Sequence, residues 1–381
     1  MSFDAGAPGL PGQAYGLPHT VDEARVVLVP VPFEATTSYG GGAAEGPAAV
    51  LRASAQVDLF DLETGRPYVD GIAMLPEEPR VRAWNAEAKR LAAPIIEAGG
   101  APPGDASLAR VNAICEELNA WLERTVARLV ADGKLVATVG GDHGSIYGAI
   151  AAHAHAYPGM GILHLDAHAD LRDGYEGFTW SHASIFHNVV RRLPEVSRLV
   201  QVGLRDISEA ELALVESSGG RVVIHSDPEL KRRGFDGEPW ARQVDRIVQV
   251  LPEQVYLSFD IDGLDPTLCP HTGTPVPGGL SFSEATALIA GVVRSGRRIV
   301  GMDLDEVAPG PEGDEWDGNV GARLLYKMIG WTLKVTSHMT ASVPQLPASP
   351  RHRSRPVTFF ITRPPDLNAS PRPLTPLKPS R

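Results

Sequence analysis

The stretch Gly161-Ile-Leu-His-Leu-Asp166-Ala-His168-Ala-Asp170 decides the fold. It begins as a short apolar run, which is typical of a strand buried in a parallel sheet, and it ends in the pattern Asp-x-His-x-Asp. If the chain stays extended to its end, residues two apart point the same way, so Asp166, His168 and Asp170 would project from one face. Three metal-binding types of side chain at one strand end predict a metal site, and a solvated polar strand end is the alternative.

The same design recurs at other strand ends. The apolar run 134–139 leads into Gly140-Gly-Asp-His143, and the apolar run 254–260 leads into Asp260-Ile-Asp262. Helical patterns lie between the strand patterns, and the clearest is 105–132, where apolar residues recur every three or four positions. This alternation predicts an α/β fold with a mostly parallel central sheet and crossover helices, whose chemistry collects beyond the carboxyl ends of the strands.

The three strand ends together offer six candidate metal ligands. Two carboxylates beside a buried strand end repel each other without a cation, which favours a metal over a plain turn at Asp260 and Asp262. Ligand sets rich in oxygen with a few imidazoles suit Mn²⁺ or a similar divalent ion. Two ions roughly 3.5–4 Å apart, bridged by shared carboxylates, would use all six ligands and turn a bridging water into hydroxide near neutral pH. The six are His143, Asp166, His168, Asp170, Asp260 and Asp262.

Composition excludes several classes of function. The chain has 381 residues and a formal net charge of −11, which argues against a nucleic-acid partner held through phosphate contacts. It has only two cysteines, Cys115 and Cys269, so we expect a protein of the reducing cytoplasm without a disulfide framework. No apolar run approaches the roughly 20 residues that span a bilayer, so we expect a soluble protein without a membrane role.

Both ends of the chain differ from the centre. Residues 1–20 are rich in Gly and Pro and lack the basic start and apolar core of a secretory signal, so they are interpreted as a flexible arm. Residues 339–381 form a tail rich in Pro and Arg, which is predicted to be disordered or to bind an acidic partner. A single catalytic domain is expected over 21–338.

Several motifs resemble the ureohydrolases, the family of arginase and agmatinase. They are Val27-Leu-Val-Pro-Val-Pro-Phe, Ser38-Tyr-Gly-Gly-Gly-Ala-Ala-Glu-Gly-Pro47, Ser258-Phe-Asp-Ile-Asp-Gly-Leu-Asp-Pro266 and Thr272-Gly-Thr-Pro-Val-Pro-Gly-Gly-Leu280. The resemblance extends to about residue 333. It implies a three-layer α/β/α sandwich, a centre of two Mn²⁺ ions, and hydrolysis of a guanidino group to urea and an amine. It also implies a homotrimer or a homohexamer.

The resemblance also implies a role for each site residue. His143, Asp166, Asp170 and Asp260 would hold one ion, and Asp166, His168, Asp260 and Asp262 the other, with Asp166 and Asp260 as bridges. His182 lies where the family keeps a histidine that shuttles a proton to the leaving amine. Glu306 lies where it keeps a carboxylate that grips the guanidinium, a group that suits a bidentate partner. Asp170 is counted among the catalytic residues as well as the ligands.

Departures from the family pattern leave the substrate open. Gly144 stands where many relatives have Ser, and Asp305-Glu306-Val-Ala-Pro differs from the commoner Val-Glu-Val-Asn-Pro. The segment after Asp170 lacks the Asn and Ser arrangement with which arginases hold an amino acid. Agmatine-like amines are therefore expected before arginine, while guanidino acids such as guanidinobutyrate and guanidinopropionate, and free guanidine, stay open. An excess of carboxylates favours a cationic substrate, provided that no basic residue offsets it.

Three further alternatives concern the metal and the reaction. Ni²⁺ could replace Mn²⁺, because the ligand set alone does not discriminate strongly between them. Deacetylases on a related fold would use one zinc ion, and the additional ligands His143, Asp170 and Asp262 argue against that reading. A catalytically silent regulatory relative would have lost ligands, whereas this chain keeps all six.

Overall fold

A parallel sheet of eight strands forms the centre of the computed structural model, which describes residues 4–340. The strands are β1 (Val26–Pro30), β2 (Ile72–Met74), β3 (Leu135–Val139), β4 (Gly161–Leu165), β5 (Arg198–Val202), β6 (Val222–His225), β7 (Gln254–Asp260) and β8 (Arg298–Asp305). Their order across the sheet is β2-β1-β3-β8-β7-β4-β5-β6, and every neighbouring pair is parallel.

Helices cover both faces of this sheet. Alternate residues of β1 enter different cores: Val26 and Leu28 pack into one cluster of buried apolar side chains, and Val27 and Val29 into another. The helices are α1 (Gly46–Ser54), α2 (Pro79–Glu97), α3 (Ala106–Ala131), α4 (Tyr147–Ala156), α5 (Ile185–Arg192), α6 (Glu209–Ser217), α7 (Asp227–Phe235), α8 (Trp240–Gln249), α9 (Phe282–Arg294) and α10 (Trp316–Thr340). The first cluster contains residues of α1, α9 and α10, and the second contains residues of α2, α3 and α4. This arrangement confirms the predicted three-layer α/β/α sandwich.

Capping residues set the start of several helices. The Asp105 carboxylate accepts a hydrogen bond from the Leu108 amide at the start of α3. At the start of α9, Ser281 and Glu284 form a capping box, in which each side chain accepts a hydrogen bond from the other residue's amide. The helical pattern predicted over 105–132 is therefore found within one residue of its expected bounds.

The sequence patterns missed three short elements and part of the last helix. Strand β2 has only three residues, and α6 and α7 are largely exposed, so none of them has a long apolar pattern. The apolar pattern of the last helix, α10, starts only at Val320, so it does not mark the first turn, where Trp316 is exposed and Asp317 is buried. None of these elements supplies a predicted metal ligand.

The order of the strands brings the predicted ligands together. Strands β3, β8, β7 and β4 are consecutive in the sheet, and the segments that carry His143, Glu306, Asp260 and Asp166 follow or end these four strands. Because all strands are parallel, their carboxyl ends share one edge. The ligand residues therefore meet at the centre of that edge.

Part of the predicted flexible arm is packed against the sandwich. Tyr15 is buried, its hydroxyl donates a hydrogen bond to the Ala322 carbonyl at 2.9 Å, and its amide donates one to Ser54 Oγ. Leu17 is fully buried as well. The high Gly and Pro content concealed these two apolar anchors, so the interpretation of residues 1–20 as a free arm is wrong for this part.

The predicted tail, 339–381, lies outside the described residues from residue 341 onward, and its first two residues belong to the end of α10. Within residues 4–340, no helix combines the length and the apolarity that a bilayer-spanning segment needs.

We expect Tyr15→Ala to destabilise the fold by roughly 3–5 kcal/mol, the range for deleting a large buried aromatic side chain. Thermal or urea unfolding followed by circular dichroism would measure this change. Tyr39→Ala is the matched control, because Tyr39 is 87% exposed and should change stability little. Equal stability of the two variants would show that the N-terminal segment is not anchored.

Candidate metal centre

The chain leaves the extended conformation directly after β4, so the expected single face of three ligands does not form. The strand ends at Leu165, and Asp170 adopts a left-handed backbone conformation with φ of 53°. Its carbonyl accepts hydrogen bonds from the amides of Phe186 and His187, which hold this turn against α5. The prediction of one extended face was wrong, and the turn directs the Asp170 carboxylate toward His143 instead.

His143 and three aspartates form the first half of the site. Its Nδ1 lies 3.1 Å from Asp166 Oδ2, 3.2 Å from Asp170 Oδ2 and 3.4 Å from Asp260 Oδ2. All four side chains are buried. One imidazole nitrogen surrounded by three carboxylate oxygens is a set of donors that fits a divalent ion such as Mn²⁺.

His168 and Asp262 form the second half and share Asp166 with the first. His168 Nδ1 lies 3.0 Å from Asp262 Oδ2 and 3.4 Å from Asp166 Oδ1, the oxygen that does not face His143. The Asp262 amide donates a hydrogen bond to Asp260 Oδ1, which ties the two halves together. The structure thus brings all six predicted ligands into one cluster, and Asp166 has one oxygen in each half.

The buried charges of the cluster strongly perturb its protonation. Burial, with the nearby Asp166 carboxylate, raises the pKa of Asp170 to about 7. Burial would lower the pKa of His168, but Asp262 and Asp166 outweigh it and raise that pKa to about 12. Protons on the cluster therefore balance its negative charge when no cation does, and a bound divalent ion would displace them.

His182 lies beside the cluster on the wall of the same cavity. Its Nδ1 is 3.4 Å from Thr36 Oγ1, and its ring contacts the edge of Tyr175 with the centroids 5.9 Å apart. Burial, with the neighbouring His168 and His143, lowers its pKa to about 4, so the ring is neutral at pH 7. A neutral imidazole can first accept a proton and then donate it.

Glu306 lies opposite, directly after β8, and its backbone is also left-handed, with φ of 59°. Its Oε1 accepts a hydrogen bond from the His143 amide at 2.9 Å, and the Thr272 hydroxyl donates to its carbonyl. Its buried Oε2 has no hydrogen-bond partner within residues 4–340. A left-handed conformation at a non-glycine residue is costly, so its retention points to a functional constraint on this side chain.

One basic residue, Arg172, lies at the rim of the cavity. Its Nε is 3.9 Å from Glu211 Oε2, and its guanidinium lies over the Tyr175 ring at 5.3 Å from the centroid. Glu211 therefore offsets the charge of Arg172, and the exposed Asp206 adds another carboxylate to the cavity lining. At this rim the basic residue Arg172 therefore does not cancel the excess of carboxylates on which the prediction of a cationic substrate depends.

Sequence reasoning missed the polar residues behind the ligands. His164 Nε2 lies 2.7 Å from Asp166 Oδ2, and Ser258 Oγ lies 3.1 Å from His143 Nε2 while it donates to Asp303 Oδ1 at 2.7 Å. The available signal was the alternation of the strand, because His164 precedes Asp166 by two residues and Ser258 precedes Asp260 by two.

Similarity to known proteins extends over most of the chain. Residues 24–330 match the model of the arginase family. The chain is 35% identical to the N(1)-aminopropylagmatine ureohydrolase of Thermus thermophilus over 309 residues, which cover 81% of this chain and 90% of that protein. It is 30% identical to the agmatinase of Cronobacter sakazakii, over 81% of this chain and 87% of the relative.

Solved structures show the same fold. The agmatine ureohydrolase of Thermoplasma volcanium superposes with a TM-score of 0.64 and 24% identity, covering 86% of this chain and 96% of that one. The sequence match over most of the chain, together with this likeness, leads to one conclusion: the protein belongs to the arginase family.

Proposed function

We propose that the protein hydrolyses the guanidino group of a small cationic amine, agmatine or a close relative of it, to urea and the corresponding amine. The observation that carries this proposal is the meeting of six ligand-type side chains with Glu306 and His182 at one cavity. The named activities of the relatives, an N(1)-aminopropylagmatine ureohydrolase and an agmatinase, support the same substrate class. The reaction class follows from family membership, since these enzymes are hydrolases of C–N bonds in linear amidines.

The six ligands would hold two divalent ions. His143, Asp166, Asp170 and Asp260 serve one ion, and Asp166, His168, Asp260 and Asp262 serve the other; the placement of the two Asp166 oxygens supports this division. Mn²⁺ suits these oxygen and imidazole donors, and Ni²⁺ is the alternative. When bound, such a pair of ions supplies an activated water and positive charge for the reaction.

Glu306 would orient the substrate. Its free Oε2 is a buried acceptor on the cavity wall, and a guanidinium presents N–H donors that match a carboxylate. A bound guanidinium would donate a hydrogen bond to this unpaired oxygen, so the contact would stabilise the complex more in this pocket than the same contact does in water. The guanidinium carbon would then lie toward the aspartate cluster and the carbon chain toward the rim.

His182 would move the proton that the reaction requires. Water adds its oxygen to the guanidinium carbon and gives up a proton, and the neutral His182 ring can accept that proton. The C–N bond to the amine then breaks, and the ring returns the proton to the departing nitrogen. Asp170, on the same cavity wall, would accept a hydrogen bond from the attacking water as well as binding an ion.

The rim supports a substrate with a positively charged tail. Arg172 is offset by Glu211, and Asp206 leaves a net negative charge among these three residues. A low-dielectric cavity with this excess disfavours a carboxylate tail.

The two cysteines are buried and unpaired, which suits the proposed location in a reducing cytoplasm.

The proposed substrate is tested by urea release from agmatine, guanidinobutyrate, guanidinopropionate, arginine and guanidine, with Mn²⁺ and Ni²⁺ compared. We expect the highest kcat/KM with agmatine or an N-alkylated agmatine, because only these carry a cationic tail without a carboxylate. Higher kcat/KM with guanidinobutyrate would contradict the substrate class. No urea from any guanidino compound by the metal-loaded protein would refute the proposed reaction.

The ligand assignment is tested by His168→Ala and Asp262→Ala. Each variant should bind one divalent ion per chain instead of two and lose most of its activity, because these residues serve only the second ion. Metal analysis after dialysis measures the first effect, and urea release measures the second. Asp206→Asn is the control for the metal analysis and should keep two ions, since it removes an exposed cavity carboxylate that is not a proposed ligand. A normal rate and two ions in either ligand variant would sink the two-ion assignment.

A further inference from the structure

Thr36 is a buried residue that lies behind His182. Its side chain is 1% exposed and does not line the cavity. The His182 amide donates a hydrogen bond to Thr36 Oγ1 at 3.2 Å, and His182 Nδ1 lies 3.4 Å from the same oxygen. The backbone and the ring of the histidine therefore share one hydroxyl partner.

The two nitrogens of the His182 ring have different surroundings. Within residues 4–340, the hydrogen-bond partners of the ring are the hydroxyls of Thr36 and Ser181, and both face Nδ1, at 3.4 and 3.5 Å. Nε2 has no such partner among these residues, and the side chain lines the cavity beside the metal ligands. The nitrogen that is free to exchange a proton with the reactants is therefore Nε2.

A His182 ring that accepts a proton at Nε2 carries protons on both nitrogens. Its Nδ1–H then needs an acceptor, because a buried donor without a partner is costly. The Thr36 oxygen can accept this bond as well as the one from the His182 amide, since a hydroxyl has two acceptor positions. The Thr36 hydroxyl thus suits the charged form of the ring that the proposed proton transfer creates.

The two hydroxyls beside Nδ1 differ in what they can fix. Ser181 directly precedes His182 and moves with it, and its Oγ also accepts a hydrogen bond from the Ala183 amide at 3.2 Å. Thr36 belongs to a distant part of the chain that follows β1. Only Thr36 can therefore hold the ring relative to the rest of the site.

The segment that carries Thr36 is anchored independently of the histidine. The buried Glu34 carboxylate accepts hydrogen bonds from the amides of Gly42 and Ala44 through Oε2, at 2.7 and 2.8 Å. The Glu34 amide donates a hydrogen bond to Asn85 Oδ1 on α2 at 2.8 Å. Residues 34–44 are thus closed on themselves and tied to a helix, which gives Thr36 a fixed position.

The backbone of His182 packs closely against Gly144, the residue after His143. A Cβ on Gly144 would lie 2.9 Å from the His182 amide nitrogen and 2.9 Å from the Trp180 carbonyl oxygen, so a larger residue would push this segment away. The segments after β1 and β3 therefore hold the histidine between them. Its distance from the metal ligands depends on both contacts.

We propose that Thr36 is a positioning residue for His182, which orients the ring and accepts a hydrogen bond from Nδ1–H when the ring takes up a proton. This inference rests on the proposed function, because it requires His182 to move a proton. It does not depend on which guanidino compound is the substrate or on which divalent ion is bound.

The test uses Thr36→Val, which keeps the shape of the side chain and removes its hydroxyl. With Mn²⁺ and the guanidino compound that the wild type hydrolyses best, kcat should fall at least ~10-fold, a part of the effect of a positioned acid–base group. KM should change little, because Thr36 does not line the cavity. Thr36→Ser, which restores the hydroxyl, should recover most of the wild-type kcat.

Thr37→Val is the matched control. Thr37 Oγ1 is also buried, but it has no hydrogen-bond partner within the described part of the chain. The same substitution one residue along the segment should therefore leave kcat and KM at their wild-type values. Metal analysis should find the wild-type number of Mn²⁺ ions in both valine variants, which separates a loss of positioning from a loss of metal.

A double-mutant cycle with His182→Ala shows whether Thr36 acts through the histidine. Thr36→Val should lower kcat in the wild-type background and have little further effect in the His182→Ala background, because the ring that the hydroxyl contacts is gone. A loss of the same size in both backgrounds would assign Thr36 a purely structural role and overturn the inference.

Wild-type kcat in Thr36→Val would also overturn the inference, as would a Thr36→Ser variant as slow as Thr36→Val. If Thr36→Val does not fold, Thr36→Ala, which cannot overfill the site, takes its place with the same expected loss. Failure of the proposed function is distinguishable from these results. A His182→Ala variant as fast as the wild type, or a wild type that releases no urea from any guanidino compound, would refute the role of His182 and this inference with it.

Discussion

Repulsion among buried carboxylates at one edge of the sheet is the constraint on which the rest of the site depends. Asp166, Asp260 and Asp262 are nearly inaccessible to water, so little solvent screens the repulsion between them. Asp260 ends β7, Asp262 follows it, and Asp166 follows the neighbouring strand β4, so the order of the strands brings these carboxylates together. A divalent cation resolves the conflict, and protons on the histidines and aspartates replace it when it is absent.

The parallel sheet accounts for the position of the site. Each ligand segment follows a strand whose alternate residues are anchored in the two cores, so strand register controls the spacing of the side chains that come next. Asp260 pairs in register with Asp305, and Ser258 with Asp303, which aligns the ligand strand with the carboxylates behind it. The glycines after β3 then allow the His143 loop to approach these residues closely. The packing of the strand residues that precede each ligand segment thus determines where the ligand side chains lie.

Much of this could be predicted from the sequence. The alternation of apolar runs with amphipathic helices gave the α/β class, and residue types at strand ends gave the six candidate ligands. The sequence could not show that Asp170 turns out of the strand, because that turn depends on the amides of Phe186 and His187, which come 16 and 17 residues later. Nor could it show that Tyr15 is an anchor, since its partner carbonyl belongs to Ala322, far along the chain. The proximity of Asp303 and Asp305 to His143 depends on the pairing of β8 with β7, which their own stretch of sequence does not reveal.

The most direct test of the two-ion centre is anomalous X-ray diffraction from crystals of the protein loaded with Mn²⁺. The account predicts two manganese peaks per chain. One would lie among His143, Asp166, Asp170 and Asp260, and the other among Asp166, His168, Asp260 and Asp262. A single peak, or manganese held by other residues, would contradict it.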